Sequence, residues 1–277
     1  MPDTLKRWPN WVHAALFILS VSAGLFLHFS NLLYSLITAL ALTGIALYFL
    51  FFYKPLFGPS IFLLLIFLTT MTPFPVARLG LFFIIPIAIY ALLLLIFPSL
   101  GKSSRWFYWG TTDKYTWLAG LAIAIVSSLA LYIWTIITKP NLNDLFSFIP
   151  NQSLSALLIV GVGFALANAF VEESIFRGIL WQAFGELFKS PVVIILLQAA
   201  IFGFAHLHGF PRGASGVTLA FIYGIMLGWV RYRSKGLLAP MVIHFFADLT
   251  IYLILLSLVG KMQIPNSSEI MAYLTPR

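Results

Sequence analysis

An all-α, polytopic transmembrane helical bundle of eight or nine helices is the fold class that the 277-residue chain predicts, and three observations predict it. Charged residues make up only 9%, where soluble domains carry roughly 25%. Hydrophobic residues make up 61% and the mean hydropathy is +1.00, so a water-soluble globule would expose more apolar surface than a monomer tolerates. Apolar runs long enough to cross a bilayer, roughly 17 to 25 residues, recur along the whole chain. The net charge of +8 is spread over short loops between these runs and forms no stripe, which fits a membrane surface and no nucleic-acid partner. Cysteine is absent, which excludes disulfides, cysteine nucleophiles and thiolate metal sites.

The predicted spans are 11–29, 31–53, 59–76, 80–98, 116–137, 153–171, 191–207, 216–231 and 237–259. The first follows Lys6 and Arg7, but its apolar run exceeds a signal-peptide core and no small-residue cleavage site follows, so it reads as an uncleaved anchor. The third contains Thr69, Thr70, Thr72, Pro73 and Pro75 and reads as kinked or partial, which leaves eight helices as the alternative count. With the N-terminus in the cytoplasm, eleven Lys and Arg fall inside, among them Lys6, Arg7, Arg177, Arg231, Arg233 and Lys235, against five outside. Trp8, Trp11, Trp106, Trp109 and Trp117 fall at span ends, where indoles anchor in the headgroup layer. The longest polar connections are 99–115 and 138–152. The expected organisation is therefore variable transmembrane helices over 1–150, a core over 151–262 and a short polar tail over 263–277.

Polar chemistry is unevenly placed. The first 150 residues hold no paired ionisable groups within a span, and His13 and His28, near the ends of the first helix, read as hydrogen-bonded or snorkelling side chains. Nearly all intramembrane polar groups lie between 153 and 259. Because a charge at bilayer depth costs at least about 2.5 kcal/mol, each is a functional candidate. Glu172 and Glu173 end an apolar run, and Arg177 stands four residues after Glu173, the helical spacing of an ion pair. Glu172 points about 100° away from its neighbour and stays outside that pair. Such a carboxylate suits general-base work, against the alternative of two solvated glutamates at a helix end.

A second constellation is Phe202-x-x-x-His206 at the end of an apolar helix. If Lys189-Ser190-Pro191 turns two helices into a hairpin, Glu172 lies about 17 residues before the turn and His206 about 16 after it, so the two meet at one depth. His208 misses that face and reads as structural. The third constellation, His244 and Asp248, shares a face at i,i+4 in the last helix. Gly224-x-x-x-Gly228 and the series Gly161, Ala165, Ala169 read as close-packing faces. Ser174 lacks a base at catalytic spacing, so a serine hydrolase is not indicated.

These three ordered motifs, Glu172-Glu173-x-x-x-Arg177, Phe202-x-x-x-His206 and His244-x-x-x-Asp248, together with Phe176-Arg177-Gly178 and the Gly-Leu-Leu-Ala-Pro run at 236–240, resemble those of the CAAX protease and bacteriocin-processing family of intramembrane endopeptidases, which includes the Ras-converting CAAX endopeptidase. The resemblance covers about 153–259. It implies a peptide hydrolase in which Glu172 and His206 hold and activate a water, while His244 and the residue at 248 face the developing oxyanion. Glu173 and Arg177 would brace the helix or orient substrate. Relatives that cleave CAAX sequences often carry asparagine at position 248; an ionised Asp248 would repel an oxyanion, so either Asp248 is protonated in its apolar setting or it orients His244 through a hydrogen bond. The second role is the expected one, and it leaves His244 as the oxyanion donor. The expected partners are a peptide or membrane-protein substrate and the lipid bilayer.

No cofactor is expected. A metalloprotease variant would take Glu172, His206 and His244 as ligands of zinc or another divalent ion recruited across helices, since no HExxH helix occurs. The different class to weigh is a non-proteolytic membrane scaffold or immunity protein, or a proton-coupled transporter using the same acids and histidines; the absence of an inverted repeat speaks against a transporter.

Overall fold

The computed structural model describes residues 10–27, 31–71, 83–104, 106–146, 149–150 and 152–263, without the side chains of 101–103 and 261–263. Lys6, Arg7, Trp8, His28, Thr72, Pro73 and Pro75, which enter the expectations above, lie outside the described residues, as does the tail over 264–277. Among the described residues there are helices and their connections and no strand.

In chain order the helices are α1 (Asn10–Phe26), α2 (Leu32–Phe52), α3 (Phe57–Thr70), α4 (Ile84–Ile96), α5 (Pro98–Ser103), α6 (Lys114–Thr138), α7 (Asn143–Phe146), α8 (Leu154–Glu173), α9 (Trp181–Leu187), α10 (Pro191–Ala205), α11 (Gly213–Ser234) and α12 (Leu238–Gln263). A π-helical segment, Ser174–Leu180, joins α8 to α9 without a break. Local chemistry sets the starts. Asn31 accepts from Leu33 N at 2.9 Å and Asp113 from Thr116 N at 2.8 Å, while Pro191 opens α10 where no helical N–H partner is needed. The turn expected at 189–191 is present, with Ser190 as the residue before α10.

Among the described residues five helices are long and apolar enough to cross a membrane: Leu32–Phe52, Lys114–Thr138, Leu154–Leu187, Gly213–Ser234 and Leu238–Gly260. Asn10–Phe26, Lys54–Thr70, Ile84–Ile96 and Pro191–Ala205 are apolar but shorter, so the expected eight or nine spans are not reached by length. The reason is geometric: at about 1.5 Å per residue, a helix such as α10 falls short of roughly 30 Å of hydrocarbon. The outer surface is nevertheless lipid-like, with Leu40, Phe51, Leu95, Ile137 and Ile159 all more exposed than buried.

Small residues set the helix approaches. A Cβ at Gly161 would collide with the ring of Tyr252, bringing α8 onto α12; one at Gly224 would meet Ala199 Cα at 3.0 Å, bringing α11 onto α10. Gly120 admits Ile243, which seats α6 on α12. The connection before α6 docks on the α11–α12 turn: Thr111 N donates to Ser234 O at 2.8 Å and Leu237 N to Tyr108 O at 2.7 Å. There Gly110, at φ +81°, presses against Gly236, an approach that leaves no room for a side chain. This anchoring fixes the start of α12 and therefore the depth of His244.

Trp106 is a correction. Expected at an interface, it is 6% exposed and covers Gly178 of the π segment, because the connection folds inward against the core. Trp11 and Trp109 are exposed as anchors should be. His13 is buried, stacks on Tyr53 at 4.5 Å and shares a 3.3 Å hydrogen bond with the Tyr48 hydroxyl, as expected for a structural histidine.

Candidate active site

The site is built where α8 passes into the π segment. All seven residues of that segment are buried, and its widened turn sets Arg177 over Glu173. Arg177 Nη1 donates to Glu173 Oε1 at 2.8 Å, with neither side chain exposed. The i,i+4 pair read from the sequence is therefore formed, and Glu172 stays outside it. The guanidinium also donates to Gly224 O at 3.3 Å and lies 4.5 Å from the Phe202 ring centre. Gln198 Nε2 donates to the same carbonyl at 2.9 Å, tying α10 to α11. Arg231 Nε donates to the Arg177 carbonyl at 2.9 Å. Arg177 and Arg231 are thus interior braces; two of the eleven basic residues counted for topology do not report on it, because the bundle buries them.

His244 is held from several directions. Its Nδ1 donates to Glu173 Oε1 at 2.7 Å, while Nε2 lies 3.6 Å from both Glu172 Oε2 and Asp248 Oδ1. Phe202 and Tyr223 box the ring edge-on, at 5.8 and 5.6 Å between centres. The expectation that Asp248 orients His244 by a hydrogen bond is not what the geometry gives. The short bond comes from Glu173, because Arg177 fixes that carboxylate directly beneath the ring, and Asp248 is instead held by Asn168.

Asn168 was not singled out in the sequence. It precedes Glu172 by one helical turn, and its Nδ2 donates to Glu172 Oε1 at 3.1 Å and to Asp248 Oδ2 at 3.2 Å. One amide thus bridges carboxylates of α8 and α12. An asparagine at i−4 from an intramembrane carboxylate was the available signal. Glu172 is 22% exposed, and its Oε2 is buried without a hydrogen-bond partner.

His206 follows the last residue of α10. Its Nδ1 is 2.9 Å from the Phe202 carbonyl, which can only accept, so Nδ1 carries the proton and Nε2 presents a lone pair. Phe202 touches both imidazoles, 4.5 Å from His206 and 5.8 Å from His244 between ring centres. His206, His244, Asp248 and Tyr223 line one cavity of about 120 Å³, whose remaining wall is largely apolar. Part of that wall is Val126, Ala130 and Leu131 of α6, so the site begins before residue 151. Tyr223 also escaped the sequence reading; its hydroxyl is buried without a partner. His208 lies outside the cluster, and its carbonyl accepts from Arg212, in keeping with a structural place. Among the described residues, no three His, Asp or Glu side chains are grouped as a metal-ion site.

The outer connection is pinned by a two-point pair: Arg212 Nη1 and Nη2 donate to Asp144 Oδ1 and Oδ2 at 2.8 and 2.9 Å. The guanidinium beside it holds the Asp144 carboxyl below the usual carboxylate range. Leu142 and Phe146 of this connection pack with Phe210 over the end of the bundle.

Fold and site together define an integral, multi-pass α-helical membrane protein with an acid–histidine centre buried among its last helices. Residues 153–250 match the family model described as type II CAAX prenyl endopeptidase Rce1-like. Comparisons with curated proteins and with solved structures give no match.

Proposed function

We propose that this protein is an intramembrane endopeptidase that hydrolyses a peptide bond of a membrane-associated substrate at the Glu172–His206–His244 centre. The observation that carries the reading is the state of Glu172. One oxygen is tied down by Asn168, and the other has no hydrogen-bond partner and faces His244 Nε2 across 3.6 Å. A carboxylate held in orientation with an unspent oxygen is the equipment of a general base.

In the proposed reaction Glu172 takes a proton from water while the water oxygen bonds to the substrate carbonyl carbon. The lone pair on His206 Nε2 accepts the water's second hydrogen bond and orients the attack. The carbonyl electrons move onto oxygen, and His244, boxed by Phe202 and Tyr223 and charge-balanced by Glu173, donates from Nε2 to that oxyanion. Collapse breaks the C–N bond, and the proton on Glu172 passes to the departing amine. Glu173, Arg177 and Phe202 hold these groups in place, Asp248 stands 3.6 Å from Nε2, and every step uses side chains alone. The same reading keeps the N-terminus in the cytoplasm, which accessibility labelling at a single cysteine introduced near residue 3 would check.

Glu172→Gln keeps the shape and removes the base. In proteoliposomes containing a peptide with a prenylated C-terminal CAAX sequence, it should slow cleavage by about 10²- to 10⁴-fold while the protein elutes and melts as wild type. An unprenylated peptide in parallel separates a prenyl-dependent substrate from a general one. Metal analysis, with activity after chelation, separates the glutamate from the metallo reading. Wild-type cleavage by the Gln variant would remove Glu172 from the mechanism.

A further inference from the structure

An oxyanion is stabilised by preorganised donors, and the cavity offers few. Both close contacts of Asp248 use its oxygens, accepting from Asn168 at 3.2 Å and facing His244 Nε2 at 3.6 Å, so as a carboxylate it has no proton to offer a developing negative charge. The hydroxyl of Ser127, on the α6 wall, is spent on Ala124 O at 3.1 Å. Tyr223 is different. Its ring stands edge-on to His244, 5.6 Å between centres at 83°, and it lines the same cavity as His206, His244 and Asp248. Its hydroxyl oxygen is buried and makes no hydrogen bond within the protein.

A buried O–H without a partner is costly, and one that persists calls for a reason. Other buried hydroxyls without a partner, those of Ser60, Ser174 and Tyr252 among them, lie away from this cavity. What distinguishes Tyr223 is that its ring packs against the imidazole assigned to the oxyanion and lines the same cavity while its hydroxyl is unused. We propose that Tyr223 is a further catalytic residue, donating its phenolic hydrogen to the oxyanion together with His244. The inference rests on the hydrolytic reading above. When water adds and the carbonyl electrons move to oxygen, that oxygen accepts from the Tyr223 O–H and His244 Nε2–H; on collapse the electrons return, the C–N bond breaks and Tyr223 keeps its proton.

Tyr223→Phe removes one oxygen and keeps the ring contacts. With the same peptide and proteoliposomes, kcat should fall by about 10²- to 10³-fold, the effect of deleting one oxyanion donor, with KM nearly unchanged. A carboxamide at position 248 supplies a neutral donor, so in an Asp248→Asn background the same change should cost roughly tenfold or less. An activity-independent measurement is the affinity of a peptide aldehyde, which binds as a tetrahedral adduct, against the matching alcohol. Tyr223→Phe should weaken the aldehyde alone. Equal weakening of both, or a wild-type kcat in Tyr223→Phe while Glu172→Gln is inactive, overturns this inference and leaves the hydrolytic reading standing. Wild-type cleavage by Glu172→Gln overturns the reading beneath it.

Discussion

The two ends of this chain solve burial differently. In α1–α4 the interior is filled by shape: Phe17, Phe49, Phe62 and Ile66 pack against Ile175, Ile179 and Phe184 of the π segment and α9. The polar interior there is slight, and His13 is content with one tyrosine hydroxyl and an aromatic stack. Around α8 and α10–α12 the interior instead holds Glu173, Arg177, Gln198, His244 and Asp248, all buried: Arg177 and His244 both bond to the Glu173 carboxylate, Gln198 donates to the Gly224 carbonyl, and Asp248 stands 3.6 Å from His244 Nε2. The first half forms a dry back wall for the π segment, and the second keeps its charges because each is braced by another. Charges persist in such an interior only as a network in which removing one member strands its partner.

The largest effect should come from breaking that network at its centre. Arg177→Met leaves Glu173 beneath His244 without its guanidinium and should destabilise the fold by about 3 to 5 kcal/mol, whereas His13→Phe in the other half should cost about 1 kcal/mol. Thermal unfolding of both variants in one detergent makes the test, and equal losses would erase the distinction between the halves.

An intermediate effect sharpens the comparison within α8 alone. Asn168→Ala frees Glu172 and Asp248 from their shared amide, and kcat should fall by about 10- to 100-fold, the worth of a hydrogen bond to a charged group, with KM held. Gly163→Ala, on the same helix with open space around it, should leave cleavage at the wild-type rate. A fall in KM-dependent binding instead of kcat would place Asn168 on the substrate path.

The smallest effect lies at the outer edge. Arg212 lowers the Asp144 carboxyl, so the pair stabilises the fold above the ordinary carboxylate range, and that contribution is lost as the pH falls through the lowered value. Asp144 is 61% exposed, which limits the effect to roughly 1 kcal/mol or less. Melting curves at neutral and acid pH should show a slightly steeper acid loss in wild type than in Asp144→Asn; identical slopes would remove the pair from the stability of this connection.

Much of this was legible in one dimension. Hydropathy marked the chain as apolar helices, the Lys189–Pro191 turn marked a reversal, and the spacing of Glu173 and Arg177 gave their ion pair, because each depends on neighbours within a few residues. The short length of α10 was not legible, since where a helix stops inside an apolar run is decided by packing and caps. Trp106 and Arg231 misled for a related reason: an indole or guanidinium near a span end reads as an interface residue until the fold turns it inward.

By itself the sequence determined that the chain belongs in a bilayer and that its grouped intramembrane acids and histidines lie in its second half, because hydropathy and i,i+4 spacing are properties of the chain. Only the tertiary structure decided which carboxylate holds His244, that Asn168 joins Glu172 to Asp248, and that α6 and Tyr223 wall the cavity. Those contacts link residues far apart along the chain, and they follow from the close approach of helices at Gly120, Gly161 and Gly224 together with the docking of Gly110 that sets the depth of α12.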